Sequence, residues 1–180
     1  MAENVHHIIH IQSLWRGYTA RRYTNMLKTS QIGASKYFTL DEARETIDPS
    51  RLYNPNQALE KRPPFTFKSG AVYEGEWLGG FRHGQGTQLW VDGACYDGQW
   101  AENRAHGLGK FTHVDGDVYE GDWANDKANG QGVYQHVNGA KYDGQWSDDL
   151  QHGKGTETWA DGSCYQGDYA NGRKHGIGGY

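Results

Sequence analysis

The chain has 180 residues, of which 36% are hydrophobic, 13% aromatic and 22% charged, with a formal net charge of −4. Few aliphatics beside 26 glycines and 12 tyrosines do not fit a packed α/β enzyme or a helical bundle, and the aromatic content does not fit a disordered chain. No apolar run approaches the roughly 18 residues that span a bilayer, the N-terminus lacks the basic-then-apolar order of a secretory signal, and two cysteines with no Asn-x-Ser/Thr sequon suit a reducing, cytoplasmic setting.

Residues 5 to about 28 read as an amphipathic helix, with Ile8, Ile11, Leu14, Trp15, Tyr18 and Met26 on one stripe at helical spacing. The stretch from Arg16 to Lys28 carries four positive charges and no negative one. Apolar anchors one and two turns apart, with a basic remainder, suit burial in the groove of an acidic partner. Gly17 costs about 1 kcal/mol inside a helix and lies opposite the Ile11/Trp15 stripe, where a partner wrapping the helix needs close approach. The residues Ile11, Gln12, Leu14, Trp15, Arg16, Gly17, Tyr18, Arg21, Arg22 and Tyr23 resemble the IQ motif. Ile11, Gln12, Arg16, Gly17 and Arg21 stand where that pattern asks. Tyr23 comes one residue early, and Thr24 occupies the place of the closing aromatic. The resemblance implies binding of calmodulin or a related EF-hand protein through this helix, residues 1–29. The alternative is a helix that packs on its own protein.

Residues 30–62 read as a connector. Thr39-Leu-Asp-Glu42 has the form of a capping box that opens a short helix reaching about Ile47, and Asp48-Pro49 ends it. Asn54-Pro55 and Pro63-Pro64 mark further turns. Tyr37, Phe38, Leu40, Leu52 and Tyr53 make the segment too apolar for a free linker, so it is expected to dock on the sheet or on a partner; a tether is the alternative.

From residue 63 onward the chain repeats every 23 residues. Tyr73-Glu-Gly-Glu-Trp77, Tyr96-Asp-Gly-Gln-Trp100, Tyr119-Glu-Gly-Asp-Trp123, Tyr142-Asp-Gly-Gln-Trp146 and Tyr165-Gln-Gly-Asp-Tyr169 keep that step. So do the pairs His83-Gly84, His106-Gly107, Asn129-Gly130, His152-Gly153 and His175-Gly176, and so do Ser69-Gly70, Asp92-Gly93, Asp115-Gly116, Asn138-Gly139 and Asp161-Gly162. Each unit is predicted to be a hairpin. Tyr73, Gly75 and Trp77 share one face of the first strand, with Glu74 and Glu76 on the other. A polar loop over 78–83 turns the chain. The return strand 84–91 puts Gly84, Gly86 and Trp90 on the aromatic face, and Asp-Gly or Asn-Gly forms a tight type I′ turn into the next unit. Gly75, Gly86 and their equivalents let rings lie flat on the backbone, so that aromatics on glycine replace an aliphatic core.

These units resemble MORN repeats. Asn129 stands where the pattern has His, and Tyr169 where it has Trp. The implied fold is mainly β: a single-layer, elongated antiparallel sheet of 23-residue hairpins preceded by an N-terminal α-helix. Residues 63–180 form the array, with a half unit at Phe65 to Gly70 and units starting at 73, 96, 119, 142 and 165, the last incomplete; a longer parent protein is therefore expected. Tyr73, Trp77, Trp90, Tyr96, Trp100, Tyr119 and Trp123 are the expected partner-binding aromatic face.

No nucleotide-binding or hydrolase motif is present, no cofactor is expected, and an enzyme is not expected. His83, His106, His152 and His175 recur once per hairpin, about 9.6 Å apart at two strand spacings, too far for one shared ion, and His6 with His10 reads as a solvated helix face. Cys95 and Cys164, three units apart, are too distant for a disulfide. Residues 1–62 hold nine basic and six acidic residues, whereas 63–180 hold nine basic and sixteen acidic. An array with net charge −7 repels anionic lipid and nucleic acid. The expectation is a non-enzymatic scaffold whose helix recruits calmodulin and whose sheet docks other proteins. By resemblance to ciliate and protist cytoskeletal proteins, its place is the cytoskeleton, with cilium and axoneme foremost. The alternatives are a peripheral phospholipid-binding module and the targeting region of a larger enzyme.

Overall fold

The computed structural model describes residues 32–47 and 54–179; the predicted IQ helix lies outside them. A 3-10 turn at Ala34–Lys36 precedes a short helix α1 (Leu40–Glu45). The strands follow as β1 (Glu60–Lys61), β2 (Phe65–Thr66), β3 (Val72–Leu78), β4 (Phe81–Leu89), β5 (Cys95–Ala101) and β6 (Arg104–Thr112). They continue as β7 (Val118–Ala124), β8 (Lys127–Gln135), β9 (Lys141–Ser147), β10 (Leu150–Thr158), β11 (Cys164–Ala170) and β12 (Arg173–Gly179). All belong to one open antiparallel sheet. From β3 to β12 the spatial order is the chain order, while β1 and β2 both pair with β3. The mainly β, single-sheet expectation holds.

The two loops of each unit differ from the predicted ones. The expected polar loop at 78–83 is a two-residue turn, because β4 already begins at Phe81. Its equivalents put two consecutive residues at positive φ: Glu102 at 49° and Asn103 at 70°, Asn125 at 52° and Asp126 at 68°, Asp148 at 50° and Asp149 at 68°. That is the type I′ signature, whose twist suits a two-residue hairpin. At Asp92-Gly93 and its equivalents only the glycine has positive φ, 93° for Gly93. Gly93 N–H donates to Trp90 O and Trp90 N–H to Ala94 O, each at 2.9 Å, so the connection is a three-residue loop and not a type I′ turn.

The glycines divide into two sets with different reasons. Gly75 pairs with Gly86, Gly86 with Gly98, and Gly98 with Gly109. The row continues through Gly121, Gly132, Gly144 and Gly155 to Gly167 and Gly178. A Cβ on Gly86 would fall 2.3–2.5 Å from the Tyr73 ring, and one on Gly109 2.4–2.6 Å from the Tyr96 ring. Rings therefore do lie on glycine, across the whole sheet.

Gly84 and its equivalents do not serve the aromatic face. Opposite Gly75 and Trp77, β4 offers Gly86 and Arg82, so two extra residues bulge out between them. Gly84, at φ 65°, turns the chain there. A Cβ on it would strike the Glu76 carboxylate on the outer face, 2.3 Å away. That carboxylate accepts the freed N–H of Gln85 at 2.8 Å. Gln99, Asp122 and Gln145 do the same for Leu108, Gln131 and Lys154. On the aromatic face the Tyr73 hydroxyl donates to the carbonyl of Glu76 at 2.8 Å, a bond repeated by Tyr96, Tyr119 and Tyr142. The Tyr-x-Gly-x-Trp motif is thus a self-closing unit. Tyrosine crosses a glycine to satisfy the carbonyl the bulge leaves open, and the polar residue before Trp satisfies the bulge N–H.

Units are joined by the same accounting of polar groups. Trp100 Nε1 donates to Gly86 O at 2.9 Å, Trp123 Nε1 to Gly109 O and Trp146 Nε1 to Gly132 O, both at 3.0 Å. Each bond reaches back one unit. Asn103, Asp126 and Asp149 accept from the backbone N–H of Arg82, Ala105 and Ala128 at 2.8 Å, tying each type I′ turn to the preceding hairpin. At the N-terminal edge the pattern stops at Pro63-Pro64. The prolines offer no N–H to the ladder and separate β1 from β2. Trp77 Nε1 is buried with no acceptor.

Candidate interaction surface

Residues 32–47 lie on the aromatic face, so the connector docks on the sheet. Thr39 caps α1, its hydroxyl accepting the Glu42 N–H at 3.3 Å. Glu42 does not close the capping box. Its side chain turns into the sheet, where the residue is 4% exposed. Phe38 packs against Trp90, Tyr96, Trp100, Phe111 and Trp123 at centroid distances of 5.3–6.3 Å. Tyr37 stacks against Trp90, Phe111 and His113, and its hydroxyl donates to Asp92 at 2.8 Å. A single-layer sheet therefore gains a partial second layer over its first three units.

Under α1 lies a buried polar network. Arg82, 2% exposed, places its guanidinium 4.5 Å from the Trp100 ring. Its Nη1 donates to Gln88 Oε1 and its Nη2 to Asn103 O at 2.9 Å. Gln88 Nε2 donates to Glu42 at 2.7 Å and Ser69 Oγ donates to the other Glu42 oxygen at 2.6 Å. Asn103 Nδ2 donates to Ala43 O at 2.9 Å, and Thr46 Oγ1 donates to Asn103 Oδ1 at 3.0 Å. Burial pulls Arg82 down to about 10, against the carboxylates of Glu42 and Asp126. Position 82 carries Arg only here; the equivalent residues are Ala105, Ala128, Gln151 and Lys174. The network is thus a key that seats the connector in one register on the array. Glu42→Ala should cost about 2–3 kcal/mol, because it leaves the buried Gln88 amide unpaired and Arg82 uncompensated. Leu40→Ala, at a site 67% exposed, should stay within about 0.5 kcal/mol. Equal urea midpoints for the two variants would show that the seat contributes nothing.

All seven residues expected to line a partner-binding face are buried. Tyr73, Tyr96 and Tyr119 are 0% exposed, Trp77, Trp100 and Trp123 2%, and Trp90 7%. They pack edge-to-face along each strand, as for Tyr73–Trp77 at 5.0 Å, and across units, as for Tyr73–Trp100 at 5.4 Å. In the described residues these rings meet one another and the connector. Sequence reading missed Glu42, Arg82, Gln88 and Asn103. For Arg82 and Gln88 the signal was present, since the next two units carry Ala105 and Ala128, and Phe111 and Tyr134, at those positions.

Among the described residues no group of three or more His, Cys, Asp and Glu could hold a metal ion. His83 Nδ1 accepts the Glu102 N–H at 3.3 Å. Cys95 and Cys164 are free thiols. Among the described residues no helix is long and apolar enough to cross a membrane.

The MORN repeat family model matches residues 73–95, 96–118, 119–141, 142–164 and 165–180. The chain is a MORN-repeat protein. Its MORN units are the five hairpins built on Tyr73, Tyr96, Tyr119, Tyr142 and Tyr165, and the half unit at β2 precedes them. The IQ calmodulin-binding motif model matches residues 6–25, which includes all ten residues assigned to EF-hand binding, Ile11 to Tyr23. Those ten lie outside the described residues. No curated protein matches the chain.

Proposed function

We propose that this MORN protein is a non-catalytic adaptor. Its IQ helix recruits calmodulin or a related EF-hand protein, and its repeat sheet holds that complex within a cytoskeletal assembly, with the cilium and its axoneme as the first place to look. The observation that carries the reading is the joining of an IQ motif at 6–25 to an array in which Tyr73, Tyr96, Tyr119 and Tyr142, and Trp100, Trp123 and Trp146, bond to the array's own backbone. Such an array is suited to be a rigid platform. MORN repeats serve scaffolds and membrane-binding modules alike; the net charge of −7 over residues 63–180 favours the scaffold, because it opposes approach to an anionic leaflet.

Two measurements test the reading. Ile11→Ala/Arg16→Ala removes an apolar anchor and a charge from the helix and should weaken calmodulin binding by about 100-fold, read by calorimetry with and without Ca²⁺. Unchanged affinity would end the EF-hand assignment. The protein should also stay in the supernatant when vesicles of phosphatidylserine and phosphatidylcholine are sedimented; salt-sensitive co-sedimentation would move the function to the membrane.

A further inference from the structure

We propose that Ser69 is a phosphorylation site, and that a phosphoryl group there releases the connector from the aromatic face of the first three MORN units. The modification turns the seat under α1 into a switch.

Ser69 is the exception among its equivalents. The other three-residue loops carry Asp92, Asp115, Asn138 and Asp161 at this position. In each, the side-chain oxygen accepts the N–H two residues on at 2.9–3.2 Å, as Ser69 Oγ does from Ala71 at 3.3 Å. The loop thus tolerates an acidic side chain here and does not itself require serine. The connector does. The Ser69 hydroxyl donates to Glu42 Oε1 at 2.6 Å, and Gln88 Nε2 donates to Oε2 at 2.7 Å. An ionised aspartate is an acceptor only and has nothing to donate to Glu42. One loop further on the polarity is the reverse, since the Tyr37 hydroxyl donates to Asp92 at 2.8 Å. The connector therefore asks for a donor at 69 and an acceptor at 92.

Ser69 is an exposed residue of the loop between β2 and β3, whereas Glu42, which it bonds, is 4% exposed. Beside it the Lys68 N–H donates to Glu45 Oε2 at 2.9 Å, so two glutamates of α1 grip one loop. Phosphorylation forms a bond from Ser69 Oγ to the γ-phosphorus of a nucleoside triphosphate. The bond from that phosphorus to its bridging oxygen breaks, the diphosphate leaves with the electron pair, and the hydroxyl proton goes to a base of the protein kinase. The product has lost the donor and brings a charge of about −1.5 to −2 next to Glu42 and Glu45. Arg82 offers no ready counter-charge, since its Nε, Nη1 and Nη2 already donate to Asn103 and Gln88. A buried carboxylate facing a phosphate is relieved when α1 lifts, and α1 carries Phe38 away from Trp90, Trp100 and Trp123.

The test uses the full chain with phosphoserine encoded at position 69, read by amide hydrogen exchange. The Ala43 and Ile47 amides, which donate to Thr39 O and Arg44 O, should exchange about 10- to 100-fold faster than in the unmodified protein, while the amides of β7 and β8 keep their rates. Ser69→Asp, the residue of three other loops, should give a smaller rise, and Ser69→Ala a smaller one still, because it loses the bond and adds no charge. Glu42→Gln in the phosphorylated chain should restore slow exchange, since its amide donates to the phosphate and its oxygen still accepts from Gln88. Exchange in α1 that the phosphate leaves unchanged or slows would overturn the release. So would Ser69→Ala matching Ser69→Asp, or a rise that extends through β7 and β8. In protein isolated from the cells that make it, mass spectrometry should find phosphate on the peptide carrying Ser69; its absence there would overturn the site.

Discussion

Above pH 10 the array should unfold in a single steep step. Burial, the largest influence, pushes the hydroxyls of Tyr73, Tyr96 and Tyr119 well above the ordinary phenol range near 10. Each is 0% exposed, and each donates its proton to a backbone carbonyl, so a phenolate there would lose both solvent and its acceptor. The folded pKa lies above the unfolded one. The stabilisation is therefore complete below pH 10 and is lost as pH rises, because the unfolded chain releases protons that the folded chain retains. Each retained proton costs about 1.4 kcal/mol per pH unit once the unfolded phenol is ionised, and about 1 kcal/mol over the first unit above its pKa, so these three alone remove about 3 kcal/mol between pH 10 and 11. Tyr134, Tyr142 and Tyr169 are shifted the same way. Arg82 acts in the opposite sense, since its folded value is lowered to about 10, but it is one group against six. Thermal melts from pH 8 to 11 should show a flat midpoint followed by collapse, with tyrosinate absorbance at 295 nm rising together with the loss of circular dichroism. A phenolate signal that grows while the fold persists would show that the rings ionise in place.

Gly98→Ala should be among the most damaging single-methyl changes in the protein. Its Cβ would lie 2.5 Å from Gly109 Cα and 2.7 Å from Leu108 O. Both are backbone atoms of the paired strand, so no rotamer relieves the overlap; β5 and β6 must part where Gly98 and Gly109 pair. The expected cost is about 3 kcal/mol or more, at the upper end for overpacking. The loss of Gly98's backbone freedom is not the cause, since its φ is not positive. Gly93→Ala tests the contrast. Nothing lies within 4 Å of that Cβ, and only the φ of 93° opposes it, for a cost of about 1–2 kcal/mol. Urea midpoints should rank the wild type first, Gly93→Ala second and Gly98→Ala last. Similar losses for both would mean that turn conformation, and not the glycine row, sets the stability.

The 23-residue step made the strands, the glycine row and the chain-order meander legible, because each depends on neighbours within one repeat. The same step misassigned the two loops. Asp-Gly is a familiar type I′ dipeptide, but here Glu102-Asn103 and Asp148-Asp149 take that geometry. The bulge at Gly84 shifts the register by two residues and so moves the turn, and a period-two count along the strand cannot register it. The polar residue before each Trp looked like a solvent-facing side chain, and its bond to the bulge N–H emerges only once that shift is known.

The sequence by itself determined what repeats: the hairpin, the glycine beneath each tyrosine, the reach of the IQ residues and the sign of the charge. These follow from local sterics and composition. Tertiary structure alone decided that Glu42 abandons its capping box for Gln88, that Arg82 lies under α1, and that the seven aromatics named for a partner-binding face lie in the core cluster. Such contacts join residues far apart in the chain, 46 positions for Glu42 and Gln88 and 27 for Glu42 and Ser69. No periodicity encodes them, because their free energy comes from pairing buried polar groups that meet only when the connector lies on the sheet.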